Sequence, residues 1–350
     1  MGGNAMKHVG VTRKTTTEYF AIVGDVLSKL HDAFPTCLAN PIEAYSSKES
    51  FGDADILIES DNLPPNWIDI IRAVFKPQDL LNNDVVSFDY RGMQIDLIKA
   101  PRIDFFFAQV YFAFNDLGNL MGRIAHKMGF KYGHNGLWKI LRDGTHAYAE
   151  VLVSRDVSAV FKFLGYDFSR HIKGFETLED VFEYAASSPY FHRQIFKLDN
   201  RNHISRIRDI KRPTYTAFLK WIEDKPELDK YKWSAYVQDK VSVKREEEKN
   251  YWLLCATNPA IFPGFAEQLT LEYAKHKQQK VIKTKWNGFI IGSISGFVGK
   301  ELGQFMEFCK SRSPVGFSFT DWIIQEQTTQ EHIEKFITDC KYLWEADKGK

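Results

Sequence analysis

The chain has 350 residues, of which 44% are hydrophobic and 26% charged, a composition typical of a soluble protein with two or three domains. Its formal net charge is only +1, which excludes a protein that coats nucleic acid through a general basic excess. Its four cysteines form no paired motif, which argues against a zinc knuckle or a disulfide framework and fits a reducing cytoplasm.

The first hundred residues predict two helices and several strands. Residues 15–34 follow a threonine cluster and carry apolar side chains at helical spacing, so they predict a capped helix. Alternation over 53–59 predicts a strand, and 67–75 predicts a short helix. The segment 85–100 predicts a hairpin that turns at Gly92 and returns as a second strand.

The rest of the chain is predicted to be largely helical. Residues 104–128 have a helical pattern, whereas 129–155 predict short strands and turns. A helix over 157–164 is expected to end where a glycine follows it. Residues 176–350 predict helices, interrupted by a strand-like block over 280–296.

These elements predict an α+β fold with a small mixed sheet flanked by helices and a mainly helical C-terminal region. We expect a first domain over 1–170, a helical basic region over 171–245 and a C-terminal domain over 246–350. The charged segment 244–250 is the expected connector. The densest apolar stretch, 105–114, is too short to cross a bilayer, so no membrane partner is expected.

Three aspartates on the two predicted strands are the main candidates for a functional site. Alternate residues of a strand share a face, so Asp53 and Asp55 lie side by side. On the second strand, Asp96 shares its face with Gln94. If the two strands are neighbours in one sheet, the three carboxylates converge.

Converging carboxylates repel one another and are relieved by a hard divalent cation, for which oxygen ligands suit Mg²⁺. Two such ions can activate a 3′-hydroxyl and stabilise a leaving pyrophosphate. In this hypothesis Asp53 and Asp55 bridge both ions. Asp96 binds the ion that meets the attacking hydroxyl and accepts its proton. The alternative is an ordinary solvated strand edge.

The aspartates stand in segments that resemble the polymerase-β superfamily of nucleotidyltransferases. SFGDADILIE resembles its G-D-h-D-h-h signature, beginning at Gly52, and MQIDLIKA resembles its third-aspartate strand. Residues 119–138 and 154–170 are similar to the family-X polymerase module that follows the palm. The resemblance covers about 40–170 and implies a nucleotidyltransferase palm. It makes Asn119 and Arg123 candidates for contacting the incoming nucleotide or the primer.

The sequence departs from this family before Gly52. The superfamily has a Gly-Ser or Gly-Gly that holds the triphosphate, and PIEAYSSKES stands there instead. The nearest substitutes for the missing motif are Ser46, Ser47 and Lys48, whose hydroxyl, N–H and ammonium groups suit phosphate. The alternative is a polar turn.

Residues 192–215 form the most basic stretch and predict a nucleic-acid contact. Arg193, Lys197 and Arg201 lie four apart and are expected to share a helix face, with rings nearby for stacking on bases. The alternative is a solvated helix whose cations are paired with acidic neighbours. The stretch continues with four further cations: Arg206, Arg208, Lys211 and Arg212.

The predicted function is metal-dependent transfer of nucleotides from nucleoside triphosphates, ATP among them, to a 3′-hydroxyl of RNA. A tRNA-like acceptor is favoured over DNA because ISGFVGKELGQFMEFC (294–309) resembles a helix of CCA-adding enzymes. Gly299 and Gly303 on one face of that helix would let another backbone approach closely. Compact versions of this kind resemble those in large phage genomes, which would place the chain in a host cytoplasm. The alternatives are a family-X DNA polymerase, for which the first 40 residues are too few, and a catalytically decayed nucleic-acid-binding module. Base preference and oligomeric state stay open.

Overall fold

The computed structural model describes residues 5–234, 243–313 and 316–348. The chain divides into two compact units, the first ending at Ala266 and the second beginning at Glu267. Both are rich in helix, and the strands of the described residues lie in the first unit, which agrees with the predicted α+β class. Within the described ranges, no helix is both long and apolar enough to span a bilayer.

The strands of the first unit form three sheets. The largest is mixed and has the order β2-β4-β7-β6-β5, the second is antiparallel with the order β10-β9-β8, and β1 pairs with β3. In chain order the strands are β1 (Lys14–Thr15), β2 (Ala39–Pro41), β3 (Ser50–Phe51), β4 (Asp53–Glu59), β5 (Leu80–Asn82), β6 (Val85–Tyr90), β7 (Met93–Ala100), β8 (Lys131–Gly133), β9 (Gly136–Asp143) and β10 (His146–Ser154).

The helices predicted over 15–34, 67–75 and 157–164 are present in the first unit. In chain order the α-helices of this unit are α1 (Thr16–Ala33), α2 (Trp67–Phe75), α3 (Arg102–Phe112), α4 (Leu117–Lys127), α5 (Val157–Phe163), α6 (Phe168–Ile172), α7 (Leu178–Ala185), α8 (His203–Ile210), α9 (Pro213–Glu223) and α10 (Val243–Ala256). The helix α11 (Phe265–Lys285) is followed in the second unit by α12 (Gly288–Ser295), α13 (Gly299–Ser311), α14 (Phe319–Ile324) and α15 (Gln330–Lys348).

Helix α1 begins with a reciprocal cap, as the threonine cluster predicts. The Thr15 side chain accepts from the backbone N–H of Glu18, whose carboxylate accepts from the N–H of Thr15. The helix buries Tyr19 at 5% exposure and leaves Phe20 64% exposed. The ring of Tyr19 therefore turns towards the mixed sheet, next to the strand that carries the first two aspartates.

The mixed sheet confirms the predicted strand faces. Strands β4 and β7 are parallel neighbours, while β2, β6 and β5 add to them antiparallel. One face of β4 carries Ala54 and Ile56 into a core shared with α1 and α2, and the other carries Leu57 into a smaller cluster with Phe105 of α3. Both faces of the central strands are thus covered, which fixes the position of the aspartates at the strand starts.

The predicted helical stretch 104–128 is interrupted. Between α3 and α4 the chain turns sharply, with left-handed backbone at Phe114 (φ 58°) and Asn115 (φ 63°). The N–H of Phe114 donates to the carbonyl of Glu43 (2.8 Å), and its ring packs edge-on against Phe175. The break therefore brings Phe114 against the loop that follows β2.

The strand-like block predicted over 280–296 is wrong. Its first part continues α11, and its second part forms α12, where the Asn287 side chain accepts from the N–H of Ile290. Ile291 is fully buried in the core of the second unit, and Gly296 ends the helix in the left-handed conformation. A run of isoleucines by itself is compatible with a strand or with a helix. Here the side-chain cap and packing into a helical core favour the helix.

The structure differs from two further expectations. The charged segment 244–250 lies inside α10 and does not form a connector, and the division between the units falls after Ala266. Gly299 and Gly303 do lie on one helix, α13, but a Cβ built on either would meet no described atom within 4 Å. Within the described second unit these glycines do not bring another backbone close.

Candidate metal centre

The three aspartates lie close together at the end of the mixed sheet where its inner strands β4 and β7 begin. Asp55 of β4 stands directly opposite Asp96 of β7, and Asp53 stands opposite Gln94. One carboxylate oxygen from each aspartate lies within 4.8 Å of the others. The parallel pairing of β4 and β7 thus confirms the predicted convergence.

Asp96 is held in place by groups of its own sheet. The Nε2 of Gln94 donates to both of its carboxylate oxygens (2.9 Å each), and the backbone N–H of Met6 donates to the Oε1 of Gln94 (3.1 Å). Gln94 is 2% exposed, so its amide is a fixed support for the carboxylate. The predicted site did not include Gln94, although its position on the same strand face as Asp96 pointed to this contact.

Burial and repulsion by neighbouring carboxylates raise the proton affinity of Asp55 and Asp96. Burial, followed by the charges of Asp53 and Asp96, raises the pKa of Asp55 to about 7. Burial also raises the pKa of Asp96, against hydrogen bonds from Ser87 and Gln94 that lower it. The centre therefore holds more negative charge than its surroundings neutralise, which is the electrostatic condition for binding a cation.

The donor set fits a hard divalent cation. All three side chains offer carboxylate oxygen, and the group lies at strand starts where Asp53 and Asp55 keep partial access to solvent. Oxygen ligands with room for water are typical of Mg²⁺ and Mn²⁺ sites, whereas Zn²⁺ sites use His and Cys. The cluster can hold a metal ion of this class.

The loop predicted to hold phosphate uses its backbone elsewhere. The N–H groups of Ser46 and Ser47 donate to the carbonyls of Phe175 (2.9 Å) and Glu176 (2.8 Å). These two amides are therefore not free to cradle a phosphate, which corrects the expectation that the N–H groups serve this purpose. The Ser46 and Ser47 side chains are exposed, and Lys48 is half-buried.

A cavity of about 570 Å³ is lined by residues of α1 and of the loop that follows β2. Tyr19 and Phe51 line it, with ring centroids 3.8 Å apart, and Phe51 precedes Asp53 by two residues. Burial, with the charges of Asp55 and Asp53, raises the pKa of Tyr19 to about 12, which places the carboxylates close to this wall. Further rings line it at Tyr45, Phe114 and Phe175. The cavity has the volume and the apolar walls of a small-molecule site.

The structure gives Asn119 and Arg123 internal partners. Arg123 is 7% exposed, and its Nε and Nη2 donate to the carbonyl of Ile195 (3.3 and 3.1 Å). The Oδ1 of Asn119 accepts from the Nη2 of Arg208 (3.2 Å). The predicted substrate contact of Arg123 is therefore corrected, because its burial and its bonds make it a support of the 193–195 turn.

Four of the seven basic candidates are engaged in ion pairs within the first unit. Arg193 pairs with Asp229 (3.0 Å), and Arg212 pairs with Asp116. The pairs that involve Arg201 and Arg208 share one buried carboxylate, that of Asp209. For these residues the alternative interpretation, cations neutralised by acidic neighbours, is correct.

The predicted common helix face of Arg193, Lys197 and Arg201 is wrong. The segment consists of two short 3₁₀ turns, Arg193–Ile195 and Leu198–Asn200, before α8 begins. Arg201 is 5% exposed, and the flanking rings of Phe191 and Tyr215 are fully buried, so they cannot stack on bases. The exposed cations of this segment that carry no ion pair described above are Lys197, Arg206 and Lys211.

Comparison with known proteins adds no family assignment: no protein-family model matches the sequence, and no match is found among curated proteins.

Proposed function

We propose that the chain is a metal-dependent nucleotidyltransferase that joins a nucleotide to a 3′-hydroxyl of RNA and releases pyrophosphate. The observation that carries this proposal is the register of β4 and β7, which sets Asp55 opposite Asp96 with Asp53 beside them. Three carboxylates this close repel one another and destabilise the fold unless a cation binds to them. Formation of the sheet therefore does not by itself explain why they are there.

The aspartates have separate tasks in the proposed reaction. Asp53 and Asp55, on one strand face, would hold the metal ions together with Asp96, and Asp96 would accept the proton of the 3′-hydroxyl. The hydroxyl oxygen forms a bond to the α-phosphorus, and the bond from that phosphorus to the oxygen of the β-phosphate breaks. Two Mg²⁺ ions at this centre would favour ionisation of the hydroxyl and neutralise charge on the pyrophosphate as it leaves.

The surroundings favour a nucleotide as the donor. The cavity next to α1 is walled by rings, which suit a nucleobase, and Tyr19 in its wall lies close to the carboxylates. The exposed cations Lys197, Arg206 and Lys211 are the groups of the basic segment that suit an RNA backbone.

A nucleotide-incorporation assay tests the proposal. The protein is incubated with Mg²⁺, each labelled NTP or dNTP, and tRNA, single-stranded RNA or primed DNA. We expect incorporation into RNA that falls at least about a hundredfold in Asp53→Ala and in Asp96→Ala. Asp84→Ala is the matched control, because this exposed carboxylate lies in the turn between β5 and β6 of the same sheet.

A second candidate is a nucleic-acid-binding module without catalysis. The engagement of the Ser46 and Ser47 amides favours it, because the usual backbone contacts to a triphosphate are then absent from this loop. Tight RNA binding with no incorporation into any acceptor would support this candidate against the transferase, and incorporation into primed DNA alone would support a DNA polymerase.

A further inference from the structure

The segment Thr12–Thr15 passes across the end of the sheet at which both aspartate strands begin. In the pairing of β1 with β3, Lys14 stands opposite Phe51. Two residues earlier, the N–H of Thr12 donates to the carbonyl of Gly92 (3.0 Å), the glycine of the turn that leads into β7. The segment thus lies across the starts of β4 and β7, and its side chains are carried to the mouth of the metal centre.

Arg13 is fixed over the glycine that precedes the first aspartate. Its Nη2 donates to the carbonyl and to the Oγ of Ser50 (2.8 and 3.0 Å), and its Nε donates to the same Oγ (3.2 Å). The Nη1 group takes part in none of these bonds, and it lies 3.1 Å from the point where a Cβ on Gly52 would stand. The guanidinium is therefore oriented by Ser50, and its Nη1 lies next to Gly52.

Lys48 brings a second cation to the same place. Its Nζ lies 4.5 Å from the centroid of the Phe51 ring, which stands between Ser50 and Gly52 in the chain. Burial lowers the pKa of Lys48, the charges of Asp53 and Asp55 raise it, and the charge of Arg13 lowers it. The ammonium group of Lys48 is therefore close enough to Arg13, Asp53 and Asp55 to interact with their charges.

Once metal ions neutralise the three carboxylates, the two cations beside them are suited to an anionic ligand. The N–H groups of Ser46 and Ser47 in the preceding loop do not supply phosphate contacts, because they already donate to the carbonyls of Phe175 and Glu176. A planar guanidinium with free hydrogens and a half-buried ammonium are the side chains best suited to phosphate oxygens. Gly52 keeps the space above the strand open for them.

We propose that Arg13 and Lys48 form a side-chain clamp that binds the β- and γ-phosphates of the nucleoside triphosphate, in place of a backbone phosphate loop. This inference rests on the proposed nucleotidyl transfer at the adjacent aspartates. Arg13, which the sequence analysis did not single out, becomes a specificity residue for the triphosphate over the monophosphate.

Binding measurements test the clamp without requiring turnover. Dissociation constants are measured by calorimetry, in Mg²⁺, for a non-hydrolysable ATP analogue, AMP and inorganic triphosphate, with wild type, Arg13→Ala, Lys48→Ala and the control Lys162→Ala. Lys162 is an exposed lysine on α5 of the same unit. We expect each clamp variant to bind the ATP analogue and inorganic triphosphate about tenfold more weakly, with AMP changed less than about threefold.

Two further measurements separate a clamp from a fold defect. Mn²⁺ binding, followed by electron paramagnetic resonance, should be retained in both clamp variants because the aspartates remain. Ser50→Ala removes one partner that orients Arg13 but keeps its charge, so it should weaken the ATP analogue less than Arg13→Ala does. Equal losses in Ser50→Ala and Arg13→Ala, with Lys48→Ala unchanged, would overturn the clamp in favour of a structural role for Arg13.

The remaining outcomes distinguish the clamp from the proposed function. Unchanged affinity for the ATP analogue in both clamp variants overturns the clamp, even if the wild type incorporates nucleotides. A wild type that binds triphosphate through Arg13 and Lys48 but incorporates nothing into any acceptor supports the clamp and overturns the transferase. If the wild type binds inorganic triphosphate and the ATP analogue with equal affinity, the clamp is supported, but its ligand is a free polyphosphate and not a nucleotide.

Discussion

At the scale of single residues, Asp55 is the side chain whose environment is most informative. It stands between Asp53 and Asp96 at the sheet edge, and its pKa of about 7 comes first from burial and then from these two charges. An aspartate whose folded-state pKa is raised binds a proton more tightly in the folded protein than in the unfolded chain. The metal-free protein therefore loses stability as the pH rises from about 4 to about 7.

The variant Asp55→Asn should show this directly. In EDTA at pH 8 it should melt about 2 °C or more above the wild type, because it lacks the buried charge, and this difference should shrink towards pH 5. Mg²⁺ should raise the melting temperature of the wild type and leave that of the variant nearly unchanged. Thermal melts at pH 5, 6, 7 and 8, with EDTA or Mg²⁺, measure both effects, and equal pH profiles of the two proteins would contradict the assignment.

At the scale of elements, the basic segment 192–215 shows why charge spacing is a weak guide to a surface. Arg193 finds its partner 36 residues later at Asp229, and Arg212 finds its partner 96 residues earlier at Asp116. The buried Arg201 pairs with Asp209 (2.5 Å) and donates to the hydroxyl of Tyr215 (2.7 Å). These contacts attach the two turns that precede α8 to the helix α9. The charged side chains of this segment therefore serve mainly to stabilise the fold.

Two substitutions in this segment should therefore behave differently. Arg201→Leu breaks a buried ion pair and should lower the free energy of unfolding by about 3 kcal/mol, since Asp209 keeps only the exposed Arg208. Arg206→Leu, on the solvent side of α8, should change it by no more than about 0.5 kcal/mol. Urea titrations of both variants measure this contrast. Equal destabilisation by the two would show that the ion pair does not stabilise the segment.

At the scale of the whole molecule, the near-neutral charge limits how the proposed RNA acceptor could be held. A net charge of +1 provides no general attraction, and the basic segment leaves Lys197, Arg206 and Lys211 exposed. Any phosphate contact must therefore come from a small local set. Much of the remaining basic charge of this segment is already neutralised inside the first unit.

RNA binding should consequently depend only modestly on salt. Three phosphate contacts to a single strand predict a slope of about −2 for the logarithm of the binding constant against that of the salt concentration. Lys211→Ala should reduce the magnitude of this slope by about 0.7. Fluorescence anisotropy of a labelled single-stranded RNA over a KCl series gives both values. A slope steeper than about −5 would require a larger basic surface than the one formed by these three cations.

Local patterns determined the first unit well. Period-two alternation identified β4 and β7 and the faces of their aspartates, and helical spacing identified α1 and α2, because these signals arise within one element. The same reasoning failed over 280–296, where an isoleucine-rich run suits either structure and the Asn287 cap with the core around Ile291 decided for α12.

Tertiary structure decided what each polar group is free to do. From the sequence alone, Asp53, Asp55 and Asp96 were a candidate centre, and the parallel register of β4 and β7 brought them together. Lys48 was a candidate from the sequence, but the approach of Arg13 was not readable, because Arg13 reaches Ser50 only through pairing of β1 with β3, more than thirty residues away. Periodicity is a property of neighbours along the chain, whereas neutralisation of a charge depends on partners that folding brings from afar.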